Sequence, residues 1–409
     1  MKQKHTFLFI AILFFCFPSF SQQKEAVHHR RLTPIMGWSS WNNFRVHINE
    51  DLIKAQADAL VSSGMQAVGY EYINIDDGYF GGRDKNGNII PHPERFPHGM
   101  KAVADYIHSK GLKAGIYSDA GFNTCASMWD ADTIGVGMGL YHHEWQDINT
   151  LLNTWGYDFL KVDWCGGQSL DLDEQTRYTE ISHIIRQVNP DAIFNVCRWE
   201  FPGKWVVNIA DSWRISGDIT NTFKSVMHII DLNADLWKYA GPGHVNDMDM
   251  LQVGRGMSYE EDKTHFSMWC MLASPLLAGN DLRSMSEQTI QILTNKEMIA
   301  IDQDPLVYQA RRLIDNGDTE VWARPLKSTM SGEIAVALLN RAEEEKTISF
   351  NVDSLGLIAE KGYIMHDVWT KKDYIKQTKD KHTLKVPAHG IVVLTVKGTS
   401  RPFNVFQHD

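Results

Sequence analysis

From Pro34 to about Pro305, short β-rich apolar runs alternate with amphipathic stretches, the order expected of βα units on a parallel sheet. Eight units can be traced, with strands closing at Gly37-Trp38, Ile73-Asn74-Ile75-Asp76, Gly115-Ile116-Tyr117, Leu160-Lys161-Val162-Asp163, Phe194-Asn195-Val196-Cys197, Trp213-Arg214-Ile215-Ser216, Val245-Asn246-Asp247 and Pro275-Leu276-Leu277-Ala278. Between them, Met100, Val103, Ala104 and Ile107 recur at i, i+3, i+4, i+7, and Ile53, Ala57, Leu60 and Val61 at i, i+4, i+7, i+8. Each set predicts one buried helix face. Ser109-Lys110-Gly111 and Ser62-Ser63-Gly64 supply glycine stops, and Ser258 with Glu261 makes a capping box before another apolar helix. Eight repeats of strand then helix predict an α/β fold, a (β/α)8 TIM barrel over residues 22–305.

After Pro305 the period changes. Val321-Trp322-Ala323-Arg324, Ile334 to Leu339, Thr347 to Phe350 and Ile391 to Leu394 are short β-rich runs separated by polar turns, which predicts a C-terminal antiparallel β-sandwich over residues 306–409. With no conspicuous acid cluster, its expected role is to cover one side of the barrel rather than to bind sugar.

Residues 1–21 read as a secretory signal: Lys2 and Lys4, an apolar run from Phe7 to Phe17, and a small-residue exit at Ser19-Phe20-Ser21. A retained anchor and lipidation at Cys16 are the alternatives, although Leu13-Phe14-Phe15 lacks the small residues a lipidation site favours. The run is short for a bilayer, and no later segment approaches the about 20 apolar residues a spanning helix needs. A secreted or periplasmic protein without a membrane span in its mature chain is expected. The formal charge of −10 becomes −12 once Lys2 and Lys4 are removed, a sign that repels nucleic acid and anionic membranes. Thirteen Trp, 13 Tyr and 18 Phe suit a neutral ligand that stacks on rings, such as a sugar, although core packing accounts for most of them.

In a TIM barrel the chemistry sits at the C-terminal strand ends. Several strands here close on polar or aromatic groups: Trp41, Asp76-Asp77, Tyr117, Lys161 and Asp163, Arg198, Arg214 and Asp218, then Asp247 and Asp249. A single strand-end Asp is as consistent with a helix cap. Strands aiming such groups into one mouth would cost desolvation without benefit unless a polar ligand bound there. Two carboxylates without an evident metal cluster suggest glycosidic chemistry, in which one acid protonates the leaving oxygen and the other attacks or activates water. Asp163, two residues from Lys161, is expected to be held ionised by that ammonium, as a nucleophile requires, and Asp218 leaves its strand at Gly217 toward the leaving-group side. Neither a metal nor a cofactor is expected.

The motifs Met36-Gly37-Trp38, Asn74-Ile75-Asp76-Asp77, Gly115-Ile116-Tyr117 through Thr124-Cys125, Lys161-Val162-Asp163-Trp164-Cys165, Trp213-Arg214 through Asp218-Ile219 and Asn246-Asp247-Met248-Asp249-Met250 follow one another in this order. From Leu32 to the C terminus the chain resembles glycoside hydrolase family 27, the α-galactosidases and α-N-acetylgalactosaminidases. The resemblance implies a retaining, metal-free mechanism with Asp163 as nucleophile and Asp218 as acid/base. It further implies Asp76 and Asp77 on the axial 4-OH and the 6-OH of a galactose-like ring, Trp41 as stacking wall, and Tyr117, Lys161, Arg214 and Asp249 as pocket contacts. It also implies a Cys125–Cys165 disulfide, and leaves Cys197 without a partner because Ala210 stands at that position. Galactose-containing oligosaccharides or polysaccharide side chains would be the substrates.

Departures bear on specificity. Cys197-Arg198-Trp199-Glu200 stands where many family members carry Cys-Glu-Trp, so reading of the sugar's 2-position falls to Arg198 or to Glu200. Met248 replaces a proline and Gly78 a cysteine found in some members. The family also holds β-L-arabinopyranosidases, whose sugar lacks the 6-carbon; the intact Asp76-Asp77 pair favours galactose. A non-catalytic carbohydrate-binding protein and a metal-dependent hydrolase are the rivals, the first expecting one acid to be missing and the second a His/Asp ligand set. Asp84, Asn86 and Asn88 loosely mimic a calcium loop, but Asn86-Gly87 reads better as a hairpin turn. His142-His143 reads as a surface pair rather than a metal site, and Gly135, Gly137 and Gly139 as loop rather than a phosphate cradle.

Overall fold

The structure is a computed structural model that describes residues 31–407; the expected signal at 1–21 and Cys16 lie outside the described residues. Eight parallel strands pair in chain order: β1 (Met36–Ser39), β2 (Tyr72–Ile75), β3 (Lys113–Asp119), β4 (Phe159–Asp163), β5 (Ile193–Val196), β6 (Ser212–Arg214), β7 (Val245–Asp247) and β8 (Leu276–Ala278). β1 also pairs with β8, Met36 against Leu276. Just past β7, Leu251 bridges Ala278, its N–H donating to the Leu277 carbonyl at 2.7 Å, and this closes the sheet into a barrel. All eight strands lie where the apolar runs put them, because a parallel strand covered on both faces must be apolar nearly throughout.

The helices follow the same logic. In α1 (Glu50–Ser62), Ile53, Ala57 and Leu60 are buried, but Val61 faces solvent and Gln56 takes the inward place. Gln56 is tolerated there because its amide donates to Asp281 at 2.7 Å and accepts from the Leu282 N–H at 2.9 Å. In α2 (Gly99–Ser109), Met100, Val103, Ala104 and Ile107 are all fully buried. Downstream come α3 (Glu174–Val188) and α4 (Tyr259–Met271). The Ser258–Glu261 capping box starts α4, which is then buried on nearly every side from Asp262 to Met271. Its partners explain this. Trp269 Nε1 donates inward to the Asp249 carbonyl at 2.9 Å, while Trp369 Nε1 donates to Ser267 Oγ at 3.0 Å and Thr264 donates to the His389 carbonyl at 2.8 Å from the opposite layer.

That layer is the antiparallel C-terminal sandwich. Strands β9 (Arg311–Asp315), β10 (Thr319–Pro325), β11 (Glu333–Asn340), β13 (Tyr363–Asp367), β14 (Asp373–Gln377) and β16 (Ile391–Gly398) form one sheet in the order β9-β10-β11-β16-β13-β14. The second sheet pairs β12 (Lys346–Asn351) with β15 (Lys381–Val386). Val321, Val336, Leu338, Phe350, Leu394 and Val396 fill the space between. Arg324, fully buried, donates to the Cys270 carbonyl of α4 at 2.9 Å and ties the two layers together. The Asn86-Gly87 turn joins a hairpin of Phe80–Arg83 with Ile89–Pro91, and Asp84 Oδ1 takes the Asn86 and Asn88 N–H groups at 2.8 and 2.9 Å. Among the described residues no helix is long and apolar enough to cross a membrane.

Candidate active site

A cavity of about 290 Å³ opens at the C-terminal end of the barrel, lined by Trp41, Asp76, Asp77, Tyr117, Lys161, Asp163 and Asp218. Each is brought there by the end of a strand. Asp76 and Asp77 follow β2; the Asp76 N–H donates to Ser40 Oγ at 2.9 Å, and both Asp77 oxygens are taken, by the Gly78 and Ala126 N–H groups at 2.8 and 2.9 Å. Burial still dominates at Asp77 and pushes its carboxyl up to about 7 against those hydrogen bonds. Tyr117, on β3, accepts from the Cys125 N–H at 3.2 Å, and burial drives its phenol well above the usual range.

On β4 the alternation of the strand places Lys161 and Asp163 on one face. The sequence pairs Lys161 with Asp163; the structure instead gives the ammonium to Asp76, Nζ to Oδ2 2.8 Å. Burial pulls Lys161 down, but Asp76 and Asp163 outweigh it and hold the amine protonated. Asp163, its Oδ1 accepting from the Trp164 N–H at 3.0 Å, is raised by burial to about 6, only partly offset by Lys161 and increased by the Asp218 and Asp76 charges. Asp218 sits at the rim with a side chain 57% exposed. The burial it has acts upward, but Arg214, 3.1 Å away, Lys161 and Arg45 outweigh it and hold the carboxyl below the usual range.

Arg214 and Asp249 lie beneath the cavity floor, in the barrel mouth with Asn195 and Asp247. They pair at 2.9 Å, and burial raises Asp249 to about 6 even so. Asp249 Oδ2 also accepts from the Ile219 N–H at 2.9 Å, so the segment carrying Asp218 is held from both ends.

Arg198 departs from its expected place. Its guanidinium donates to Glu174 of α3 at 2.8 Å and pairs with Glu200 at 3.1 Å; neither it nor Glu200 lines the cavity, and the neighbouring Trp199 does. An arginine beside a helix carboxylate gains a charge-assisted bond there. Sequence reasoning missed Arg45, Trp129, Asp130 and Trp199, all of which line the mouth. Arg45, Asp130 and Trp199 stand in loops and Trp129 ends a helix of five residues, too short for a period to mark it; the one available cue was Trp199 directly after Arg198.

Cys125 and Cys165, which also line the cavity, form a disulfide across a separation of 40 residues. It staples the loop after β3 to the loop after β4. The loops approach so closely that a Cβ on Gly121 would fall 1.8 Å from the Gly166 backbone, and Asp119 Oδ1 accepts from both the Gly121 and Gly166 N–H groups, at 2.7 and 3.0 Å. Asp119 with these two sulfurs is the one metal-like cluster among the described residues, and the disulfide uses up the thiolates a metal would need. Cys197 and Cys270 are buried free thiols.

A closed (β/α)8 barrel whose strand ends present paired carboxylates, a lysine and an aromatic wall to one small cavity has the architecture of a glycoside hydrolase. The family model described as "Alpha galactosidase A" matches residues 33–304, and "Alpha galactosidase C-terminal beta sandwich domain" matches residues 316–396. The chain belongs to this family, glycoside hydrolase family 27. It is 44% identical over 385 residues to Alpha-galactosidase A of Cellvibrio japonicus, covering 88% of this chain and 91% of that one. It is 42% identical over 365 residues to Alpha-galactosidase 3 of Arabidopsis thaliana, covering 87% and 80%. The crystal structure of alpha-galactosidase I from Mortierella vinacea superposes with a TM-score of 0.84 at 31% identity, covering 92% of this chain and all of that one.

Proposed function

We propose that the protein is an exo-acting α-galactosidase that removes terminal α-D-galactosyl residues by a retaining double displacement, with Asp163 as nucleophile and Asp218 as acid/base. The observation that carries this is the placement of the two carboxylates at different depths of one cavity: Asp163 buried on the floor, Asp218 half in solvent at the rim. A sugar seated ring-down presents its anomeric carbon to the floor, while the leaving oxygen points outward with the rest of the substrate. Asp163 attacks that carbon as Asp218 protonates the departing oxygen. Water then enters from the open side, gives its proton to Asp218 and releases galactose from the Asp163 ester.

The electrostatics of the site run the other way, Asp163 raised and Asp218 lowered. The sugar reverses part of this by covering Asp218 and displacing the water that favours its ionised form. Asp76, ionically paired with Lys161, and Asp77 accept from the 4-OH and 6-OH of galactose. A ring with those hydroxyls elsewhere would forgo both hydrogen bonds while still covering the two carboxylates. Trp41 forms the stacking wall and Tyr117 shapes the floor, with Arg214 and Asp249 supporting it from beneath. Arg198, turned toward Glu174, leaves the 2-position to the other groups at the mouth.

The barrel, residues 22–305, carries this chemistry, and the sandwich, 306–409, backs α4. Export to the periplasm or medium follows from the N-terminal signal, and galactose-bearing oligosaccharides or polysaccharide side chains are the substrates. Initial rates on nitrophenyl α-D-galactoside, β-L-arabinopyranoside and α-N-acetylgalactosaminide, with chelator present, test the reading. The α-galactoside should give the highest kcat/KM. Preference for either of the others would overturn the Asp76-Asp77 specificity assignment, and no turnover of any would return the protein to carbohydrate binding without catalysis.

A further inference from the structure

We infer that Trp129, Trp199 and the Arg45–Asp130 pair form a subsite for the leaving group, shaped for a neutral pyranose ring of an oligosaccharide; this rests on the α-galactosidase reading and specifies what the cavity rim holds. Trp129 ends the short helix Cys125–Trp129 that begins at the disulfide. The residue is 73% exposed although it lines the same cavity as Asp163 and Asp218. An indole left in water at a cavity mouth forgoes burial that a ligand can restore. Trp199 offers a second ring on the same cavity.

Asp130 follows Trp129 directly and takes the Arg45 guanidinium in a fork, Nη2 to its two oxygens at 2.6 and 2.7 Å and Nε to Oδ1 at 2.9 Å. The same guanidinium lies 4.4 Å over the Trp41 ring. An ion pair this open to solvent adds little to stability. Even so, Arg45 itself (φ 49°) and Ala131 beside Asp130 (φ 54°) adopt left-handed backbone, which costs non-glycine residues energy. What the pair secures is the position of the loop that holds Trp129 out on the rim, with polar edges left to meet hydroxyls. Asp218 stands on the same rim, so the ring attached to the oxygen it protonates comes to rest against this wall. The C–H faces of a pyranose fit the indoles, and its hydroxyls fit the ion pair.

The test compares an α-galactosyl trisaccharide with α-galactosyl fluoride, whose leaving group is one atom. Trp129→Ala should lower kcat/KM on the trisaccharide about tenfold more than on the fluoride, and Trp129→Phe should restore most of the difference. Equal losses on both substrates, no loss on either, or failure of Phe to restore the difference would overturn the subsite. Wild-type enzyme that turns over neither substrate would instead refute the α-galactosidase reading itself.

Discussion

Arg214 lies 3.1 Å from Asp218 and 2.9 Å from Asp249, so one buried guanidinium is shared between a half-exposed carboxylate at the rim and a buried one beneath the floor. The sharing limits how strongly Arg214 can hold Asp218 ionised. Asp249→Asn removes the competing charge while its amide oxygen can still accept the Ile219 N–H. The protonated form of Asp218 becomes rarer, and kcat/KM should fall about tenfold or more with its acidic limb moved to lower pH. An unchanged acidic limb would show that Asp249 does not act through Arg214.

Asp163 and Asp218 interact, so their titration belongs to the pair. The singly protonated pair is the working state. It loses its last proton near 6, where burial places Asp163, and gains a second one below the usual carboxylate range, where Arg214 places Asp218. The kcat/KM profile should therefore be bell-shaped with an acidic optimum and an alkaline limb near pH 6. Activity that stays flat to pH 8 would contradict the charges assigned to this site.

Asp302, which does not line the cavity, gives a separate test of burial. Gln303 Nε2 donates to its Oδ2 at 2.6 Å, but burial outweighs that and raises the carboxyl to about 8. The unfolded-state value is near 4. Below about 4 the group is neutral in both states and its contribution to stability is whole; that contribution is lost as pH rises through about 8. Asp302→Asn, which cannot ionise, should raise Tm by about 2–4 °C at pH 8 and have a much smaller effect at pH 4.5. Equal effects at the two pH values would mean the carboxyl is not the titrating group.

The disulfide ties stability to the site. Replacing Cys125 and Cys165 by Ser releases a closed loop of 40 residues, worth about 4 kcal/mol in the chain-entropy model. The Ala126 N–H that fixes Asp77 and the helix ending at Trp129 both follow Cys125, so KM for galactosides should rise as well. Denaturant midpoint and KM measured on the same double variant check both; a lower midpoint with unchanged KM would confine the bridge to stability.

What the sequence made legible follows from burial. β1 to β8 showed as apolar runs, and Asp76, Tyr117, Lys161 and Asp163 showed because a polar residue closing such a run is conspicuous. Where partners decide, sequence is silent. Lys161 pairs with Asp76 across β3 rather than with Asp163 on its own strand, and Arg198 turns to Glu174 on α3; both choices depend on residues distant in the chain. β14, at a sheet edge, holds only exposed and half-buried residues, too little burial to stand out, and the segment around Trp129-Asp130 is too short for a period. The opposed pKa shifts at Asp163 and Asp218 were likewise invisible, since they come from depth in a cavity that only the closed barrel creates.

Those opposed shifts make the assignment of roles the claim most worth testing. The most direct measurement is to trap the glycosyl-enzyme with a fluorinated galactosyl donor that slows the second displacement, digest it, and locate the sugar by mass spectrometry. An adduct on the peptide containing Asp163 is the predicted result. An adduct on the peptide containing Asp218, or no adduct together with an inverted anomeric product, would contradict Asp163 as the nucleophile.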